Sequence, residues 1–126
     1  MNEKSDKMPN KIYYLSTCST CSRIMKDLGI NTHNFELQDI KTNKITANQL
    51  EDMKALSGSF ESLFSRRSQQ YAAMGLKEKT LGEQDYRDLI LQEYTFLKRP
   101  VAIVGTEIFI GNTKENVAAL KEKLSQ

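Results

Sequence analysis

The segment KIYYLST, residues 11–17, runs without a break into Cys18-Ser-Thr-Cys21, and the residues that follow switch at once to a helical period. β-Branched and aromatic residues behind a proline-containing stretch predict a strand over 11–17. Cys21, Ile24, Met25 and Leu28 then fall at i, i+3, i+4 and i+7, one face of a helix that Gly29 ends. The junction puts Cys21 on the inward face of that helix. Cys18 falls just before the first turn, where backbone N–H groups without helical partners and the helix dipole converge.

The rest of the chain must complete a layer around this strand–helix start. HNFELQDI predicts a second strand near 33–38, with Phe35 and Leu37 as its apolar positions, parallel to the first through a right-handed β-α-β unit. Thr46-Ala-Asn-Gln49 has the form of a capping box, and Leu50, Met53 and Leu56 follow it before Gly58. SFESLFS and RRSQQYAAMGL continue in helical pieces, with Phe60, Leu63, Phe64, Tyr71 and Met74 as apolar positions and Gly75 as a stop. Thr80-Leu-Gly-Glu83 predicts a second capping box, opening a helix that buries Tyr86, Leu89 and Ile90. PVAIV and IFIG around a glycine-containing turn predict an antiparallel hairpin, and Thr113 starts a last helix carrying Val117, Leu120 and Leu124.

The order β, α, β, a helical block, β, β, α is a thioredoxin arrangement with its middle expanded. The expected fold is therefore α/β, thioredoxin-like (glutaredoxin-like), a mixed four-stranded sheet with a helical insertion over about 46–93. Residues 11–126 read as a single domain behind a disordered tail, 1–10.

Composition narrows the function classes. The 126 residues are 39% hydrophobic and 27% charged with no apolar run near twenty residues, so no membrane span is expected. A net charge of +2 is too small to argue for nucleic acid, and no direct DNA binding is expected. The opening MNEKSDKMPN has no apolar core and does not read as a secretory signal, so a cytoplasmic location is the expectation. Two cysteines three apart cannot staple distant parts of a fold, and in a reducing compartment a structural disulfide would not persist. A structural zinc site needs four ligands; one CxxC and one histidine, His33, do not supply them unless two chains share an ion. No metal is expected, and His33 reads as a surface residue. The cysteines are there for reactivity, or by chance.

Reactivity has a physical basis at this position. A free thiol with a pKa of about 8.5 is only about 3% thiolate at pH 7, and lowering it to about 7 raises that to roughly half, for about 2 kcal/mol. A helix N-terminus supplies much of this. Cys18 at the mouth is the better nucleophile, and Cys21 one turn in can attack an adduct on Cys18 and release it as a disulfide. Lys98-Arg99-Pro100 is the second informative patch, because a proline at the start of an apolar strand implies a sheet edge or a cis bond. In thioredoxin-like folds this place carries a cis-proline beside the active cysteine, so Arg99 is expected to face the thiol; the plainer reading is a strand-entry proline beside a solvated arginine. Arg66-Arg67 reads either as a solvated face or, if one folds over Cys18, as a partner of Arg99 in a pocket for a tetrahedral oxyanion.

Three pieces in order, YYLSTCSTCSRI, SRRSQQYAAMGL and LKRPVAIVGTEIFIG, resemble the ArsC/Spx family, and the likeness runs from residue 11 to about 122. In its arsenate reductases a cysteine attacks arsenate, three arginines hold the oxyanion, and glutathione with glutaredoxin reduces the adduct to arsenite. The resemblance implies Cys18 as nucleophile, with Arg99 before Pro100 and Arg67 (or Arg66, one residue shifted) at the substrate. The third arginine has no counterpart, its place falling at about Gly111. Cys21 stands where the single-cysteine reductases have another residue, which implies an internal disulfide as the second half of the mechanism. No bound cofactor is implied, and either glutathione with glutaredoxin or thioredoxin would be the electron donor. The CxxC branch also contains Spx regulators, which use the pair as an oxidation switch and bind the C-terminal domain of the RNA polymerase α subunit. Two functions are thus expected: an arsenate reductase or related thiol-dependent reductase first, and a redox-sensing transcriptional regulator as the alternative.

Overall fold

The computed structural model of the chain describes residues 10–126. The tail expected over 1–10 lies outside these residues apart from Asn10, which already belongs to the first strand. The chain folds as two compact units, residues 10–39 with 99–126, and 40–98. The second is the expected helical insertion with wider bounds.

In the first unit, β1 (Asn10–Tyr14) is followed by α1 (Ser19–Asp27) and β2 (Phe35–Asp39), and later by β3 (Val101–Val104), β4 (Glu107–Ile110) and α5 (Lys114–Leu124). The sheet order is β2-β1-β3-β4, with β1 parallel to β2 and antiparallel to β3, and β3 antiparallel to β4. The hairpin between β3 and β4 turns on two residues, Gly105 and Thr106, and Gly105 takes the positive φ of 65° that such a tight turn requires. Register explains the core. Ile12 lies opposite Ala102, and Ala102 opposite Phe109, so the three side chains share one face of the sheet. Ile24 and Leu28 from the α1 side and Leu120 of α5 pack on them, the apolar stripe expected from the i, i+3, i+4, i+7 spacing. Thr113 caps α5 by accepting from the Asn116 N–H at 3.1 Å.

β2 departs from the expected alternation. Phe35 packs against the core cluster, but Leu37 is 44% exposed while Gln38 is buried. β2 is the sheet edge, and the apolar cover of that face stops at Phe35.

The second unit contains α2 (Ala47–Ser57), α3 (Gln69–Ala73) and α4 (Glu83–Gln92), joined through short 3-10 turns. The capping box at Thr46 forms as its sequence predicts: the Gln49 N–H donates to the Thr46 hydroxyl at 3.0 Å, and the Thr46 N–H to the Gln49 side chain at 3.1 Å. The second box does not form at Thr80. Gly82 is the cap instead, its N–H donating to Asp85 at 2.8 Å. The Glu83 carboxylate is occupied elsewhere, accepting from the Phe60 and Glu61 N–H groups at 2.7 and 3.0 Å, the donors left over at the start of the Glu61–Leu63 turn. Of the expected apolar positions, Leu56 and Met74 are exposed, and Leu89 is half-buried. Phe64 organises the unit's interior, stacked on Phe96 at 5.0 Å, tilted on Tyr86 at 4.9 Å and edge-on to Tyr71 at 6.1 Å. Backbone bonds from Ser65 N–H to the Phe96 carbonyl (2.7 Å) and from Lys98 N–H to the Leu63 carbonyl (2.9 Å) tie the middle of the unit to its C-terminal end.

Among the described residues no helix is long and apolar enough to cross a membrane. Truncating the fully buried Phe64 to Ala is expected to cost about 3–5 kcal/mol, whereas Thr46→Ala, which removes one cap, is expected to cost about 1 kcal/mol. Urea unfolding of both variants checks the ranking, and equal losses would contradict this account of the core.

Candidate active site

The site begins where β1 stops. β1 ends at Tyr14, earlier than the strand expected to run to residue 17, and the chain turns so that the Cys18 N–H donates to the Leu15 carbonyl at 2.9 Å. Cys18 is thereby the N-cap of α1, in extended conformation at φ −96° and ψ 110°, with no acidic residue in the first turn. Its sulfur makes no capping hydrogen bond of ordinary geometry, yet it lies within the influence of the first free N–H groups of the helix.

Both thiols are free, Cys18 half-buried and Cys21 fully buried. Their environments push them in opposite directions. Partial burial opposes ionisation of Cys18, but the Cys21 N–H, the Cys21 thiol, the Arg99 charge and the Thr20 N–H outweigh it, so its pKa is lowered. Cys21 is pushed up to about 11, chiefly by burial; the Leu15 backbone opposes this, and the neighbouring Cys18 adds to it. The pair therefore holds a sulfur whose ionisation is eased at the mouth and one whose ionisation is opposed behind it.

Arg99 and Pro100 lie in the same unit as the cysteines. The Arg99–Pro100 bond is cis, and the charge of Arg99 lowers both thiols, so the arginine faces them rather than serving as a remote solvated residue. Pro100 is held by its carbonyl, which accepts from the Gly111 N–H at 2.9 Å. Gly111 has φ +89°, and its own carbonyl accepts from the Asn116 amide at 2.8 Å. The place of the missing third arginine is thus a tied backbone corner whose conformation resists any side chain.

Arg66 and Arg67 belong to the other unit and differ in engagement. Arg66 pairs with Glu61 at 3.1 Å, donates to the Tyr86 hydroxyl at 2.8 Å and lies over the Tyr86 and Phe64 rings at 5.6 and 6.0 Å. The hydrogen bond to Glu61 is the main reason its pKa is raised. Arg67 is exposed, and among the described residues its guanidinium has no hydrogen-bond or ion-pair partner; only its backbone N–H is engaged, with Ser65. His33 ends the Ile30–Thr32 turn and lies outside the cysteine mouth. Among the described residues there is no cluster of three or more His, Cys, Asp or Glu able to hold a metal ion. The backbone donors of Leu15 and Thr20 have no signal in residue type; only the cap position of Cys18 would have located them.

This arrangement, a half-buried cysteine at a helix start and a cis-proline leading into β3 of a four-stranded mixed sheet, is that of a thioredoxin-like fold. The chain belongs to the ArsC family, whose model matches residues 13–120. Among solved structures it resembles a protein of Streptococcus mutans UA159 described as a possible arsenate reductase, with 26% identity, a TM-score of 0.68, and coverage of 83% of this chain and 91% of that one. A protein of Bacteroides fragilis related to the ArsC family (23% identity, TM-score 0.75, coverage 90% and 98%) shares the fold. So does an arsenate reductase of Vibrio cholerae (14% identity, TM-score 0.74, coverage 89% and 97%). No curated protein matches the chain.

Alkylation as a function of pH, resolved by peptide mass spectrometry, is expected to show Cys18 reacting at a lower pH than an ordinary thiol and Cys21 only as pH approaches about 11. Arg99→Met removes a cation that favours the thiolate, so it should move the Cys18 midpoint upward. An unmoved midpoint would take Arg99 out of the site.

Proposed function

We propose that the protein is a thiol-dependent reductase of the arsenate reductase type, with Cys18 as nucleophile and Cys21 as resolving thiol. The observation that carries this is the placement of the two cysteines: Cys18 caps the start of α1, Cys21 lies buried one turn in, and the Arg99 charge favours ionisation of both. Membership of the ArsC family supports it.

The Cys18 thiolate attacks arsenate, one As–OH group takes a proton from solvent and leaves as water, and a Cys18–arsenic bond forms. That bond removes the negative charge on Cys18, one of the influences that hold Cys21 protonated. Cys21 then loses its proton and attacks the Cys18 sulfur. The electron pair of the S–As bond leaves with arsenic as arsenite, and the cysteines end as a disulfide. Two electrons from thioredoxin, or from glutathione through glutaredoxin, restore the dithiol.

Of the arginines, Arg99, which belongs to the same unit as the cysteines, is assigned to the oxyanion. Arg66 is already committed to Glu61 and Tyr86, so its guanidinium serves the fold of its own unit. A charge-assisted contact to an oxyanion is worth about 1.5–3 kcal/mol, so Arg99→Ala is expected to lower kcat/KM for arsenate roughly tenfold or more. Arg66→Ala should act mainly on stability. Equal kinetic losses in the two variants would reverse the assignment.

The test of the function is arsenate-dependent NADPH consumption with thioredoxin and with glutaredoxin plus glutathione supplied in separate assays, using Cys18→Ser as the inactive control. Turnover with either supports the reductase. Turnover with neither, together with binding to the C-terminal domain of the α chain of RNA polymerase, would replace it with the regulator.

A further inference from the structure

Proline has no backbone N–H, and this decides how the β3–β4 ladder ends beside Arg99. The register Val101–Ile110 continues one step further to Pro100 opposite Gly111, and that pair closes through a single bond, from the Gly111 N–H to the Pro100 carbonyl at 2.9 Å. Both residues are buried, so losing this bond would leave a donor and an acceptor unsatisfied. Gly111 has no side chain to pack, and its place depends on its backbone contacts. Its carbonyl accepts from the side-chain amide of Asn116 in α5 at 2.8 Å. Asn116 is the third residue of α5, where a Glu or Gln would reach back to the N–H of the cap. Its backbone N–H donates to the Thr113 hydroxyl at 3.1 Å, while its shorter side chain reaches Gly111 instead. Hydrogen bonds therefore run from the cap of α5, through Asn116 and Gly111, to the residue that follows Arg99.

We infer that Asn116 is a positioning residue of the candidate active site: by fixing Gly111 from α5, it holds the Pro100 end of β3 where Arg99 faces the cysteines. The inference rests on the reading of Arg99 as the cation of that site. All of these residues belong to one compact unit. Arg99 is bonded directly to Pro100, so a displaced Pro100 carbonyl moves the backbone from which the guanidinium extends. The charge then acts on the sulfurs from a different distance, and Coulomb attraction falls with distance. Arg99 is the charged side chain that favours the ionised form of Cys18, and Cys21 is the other titratable group acting on it. Asn116 thus works on Cys18 through Arg99.

This role is separable from a merely structural one. Asn116 is half-buried and lies outside the apolar cluster to which Leu120 and Leu124 of α5 contribute. Asn116→Leu keeps the size of the side chain and deletes the donor to Gly111. Leu also has a higher helix propensity than Asn, so the variant is expected to fold. Leu124→Ala removes apolar packing from the last turn of the same helix, away from Gly111, and serves as the control for general loosening.

The experiment measures the rate of Cys18 alkylation by iodoacetamide, an uncharged reagent, across pH in the full chain, resolved by peptide mass spectrometry. The midpoint of the profile reports ionisation and its plateau reports access, so the two are separated. Asn116→Leu is expected to raise the midpoint, lowering the rate at a fixed pH below it roughly threefold, as the weakening of one partly exposed charge contact would. Arg99→Met should act in the same direction at least as strongly, and Asn116→Leu added to Arg99→Met should move the midpoint no further. Leu124→Ala should lower the urea midpoint of unfolding while leaving the alkylation profile in place. An unmoved alkylation midpoint in Asn116→Leu, with that of Arg99→Met displaced, overturns the inference and leaves Arg99 in the site. So do additive shifts in the double variant, or a shift in Leu124→Ala as large as that in Asn116→Leu. An unmoved midpoint in Arg99→Met overturns both the inference and the reading of Arg99 on which it rests.

Discussion

The constraint on which the candidate site depends is the placing of Cys18 at the start of α1, where the backbone N–H groups of Thr20 and Cys21 favour its ionised form. It exists because β1 ends at Tyr14 and the chain closes a tight turn from Leu15 to Cys18 before the helix begins. A strand running to residue 17 would carry Cys18 away from those donors. The packing of Ile24 and Leu28 against Ile12, Ala102 and Phe109 then holds the helix, and with it the sulfur, at a fixed place on the sheet. Core and site are in this sense one construction: the apolar stripe of α1 positions its N-terminus, and the N-terminus supplies the positive end that favours a thiolate.

The same packing separates the two cysteines. Cys21 is fully buried and behaves as a core residue, and burial is the main reason its thiol stays protonated. Cys18, one turn nearer solvent, loses less hydration and gains more from backbone donors and Arg99. Identical side chains three positions apart thus take different roles because a helix turns one inward and leaves the other at its mouth. Arg99 complements this from the far side of the sequence, brought to the cysteines by the antiparallel pairing of β3 with β1.

Much of this was legible in residue order. The strand–CxxC–helix junction, the Thr46 and Thr113 caps, the β3–β4 hairpin and the proline beside Arg99 all carry local signals, and each appears where those signals place it. The readings that failed are those in which a distant partner intervened. Glu83 has the spacing to complete a box with Thr80, but the free N–H groups of Phe60 and Glu61 take its carboxylate. Leu37 has the alternation of a buried position, but it lies where the cover of an edge strand runs out. Arg66 and Arg67 are equivalent on paper, and the aromatic cluster around Phe64 distinguishes them by engaging only the first.

By itself, then, the amino-acid order determined the kinds of element, their succession and the place of the two cysteines at a helix start, because helix period, strand alternation, caps and turns are properties of neighbours along the chain. Tertiary structure alone decided how strongly burial sets Cys21 apart from Cys18, that Arg66 rather than Arg67 is held by the aromatic cluster, and that Gly111 is tied to Pro100. Those outcomes depend on desolvation and on charges and donors from remote segments, and such quantities do not exist until the segments have packed together.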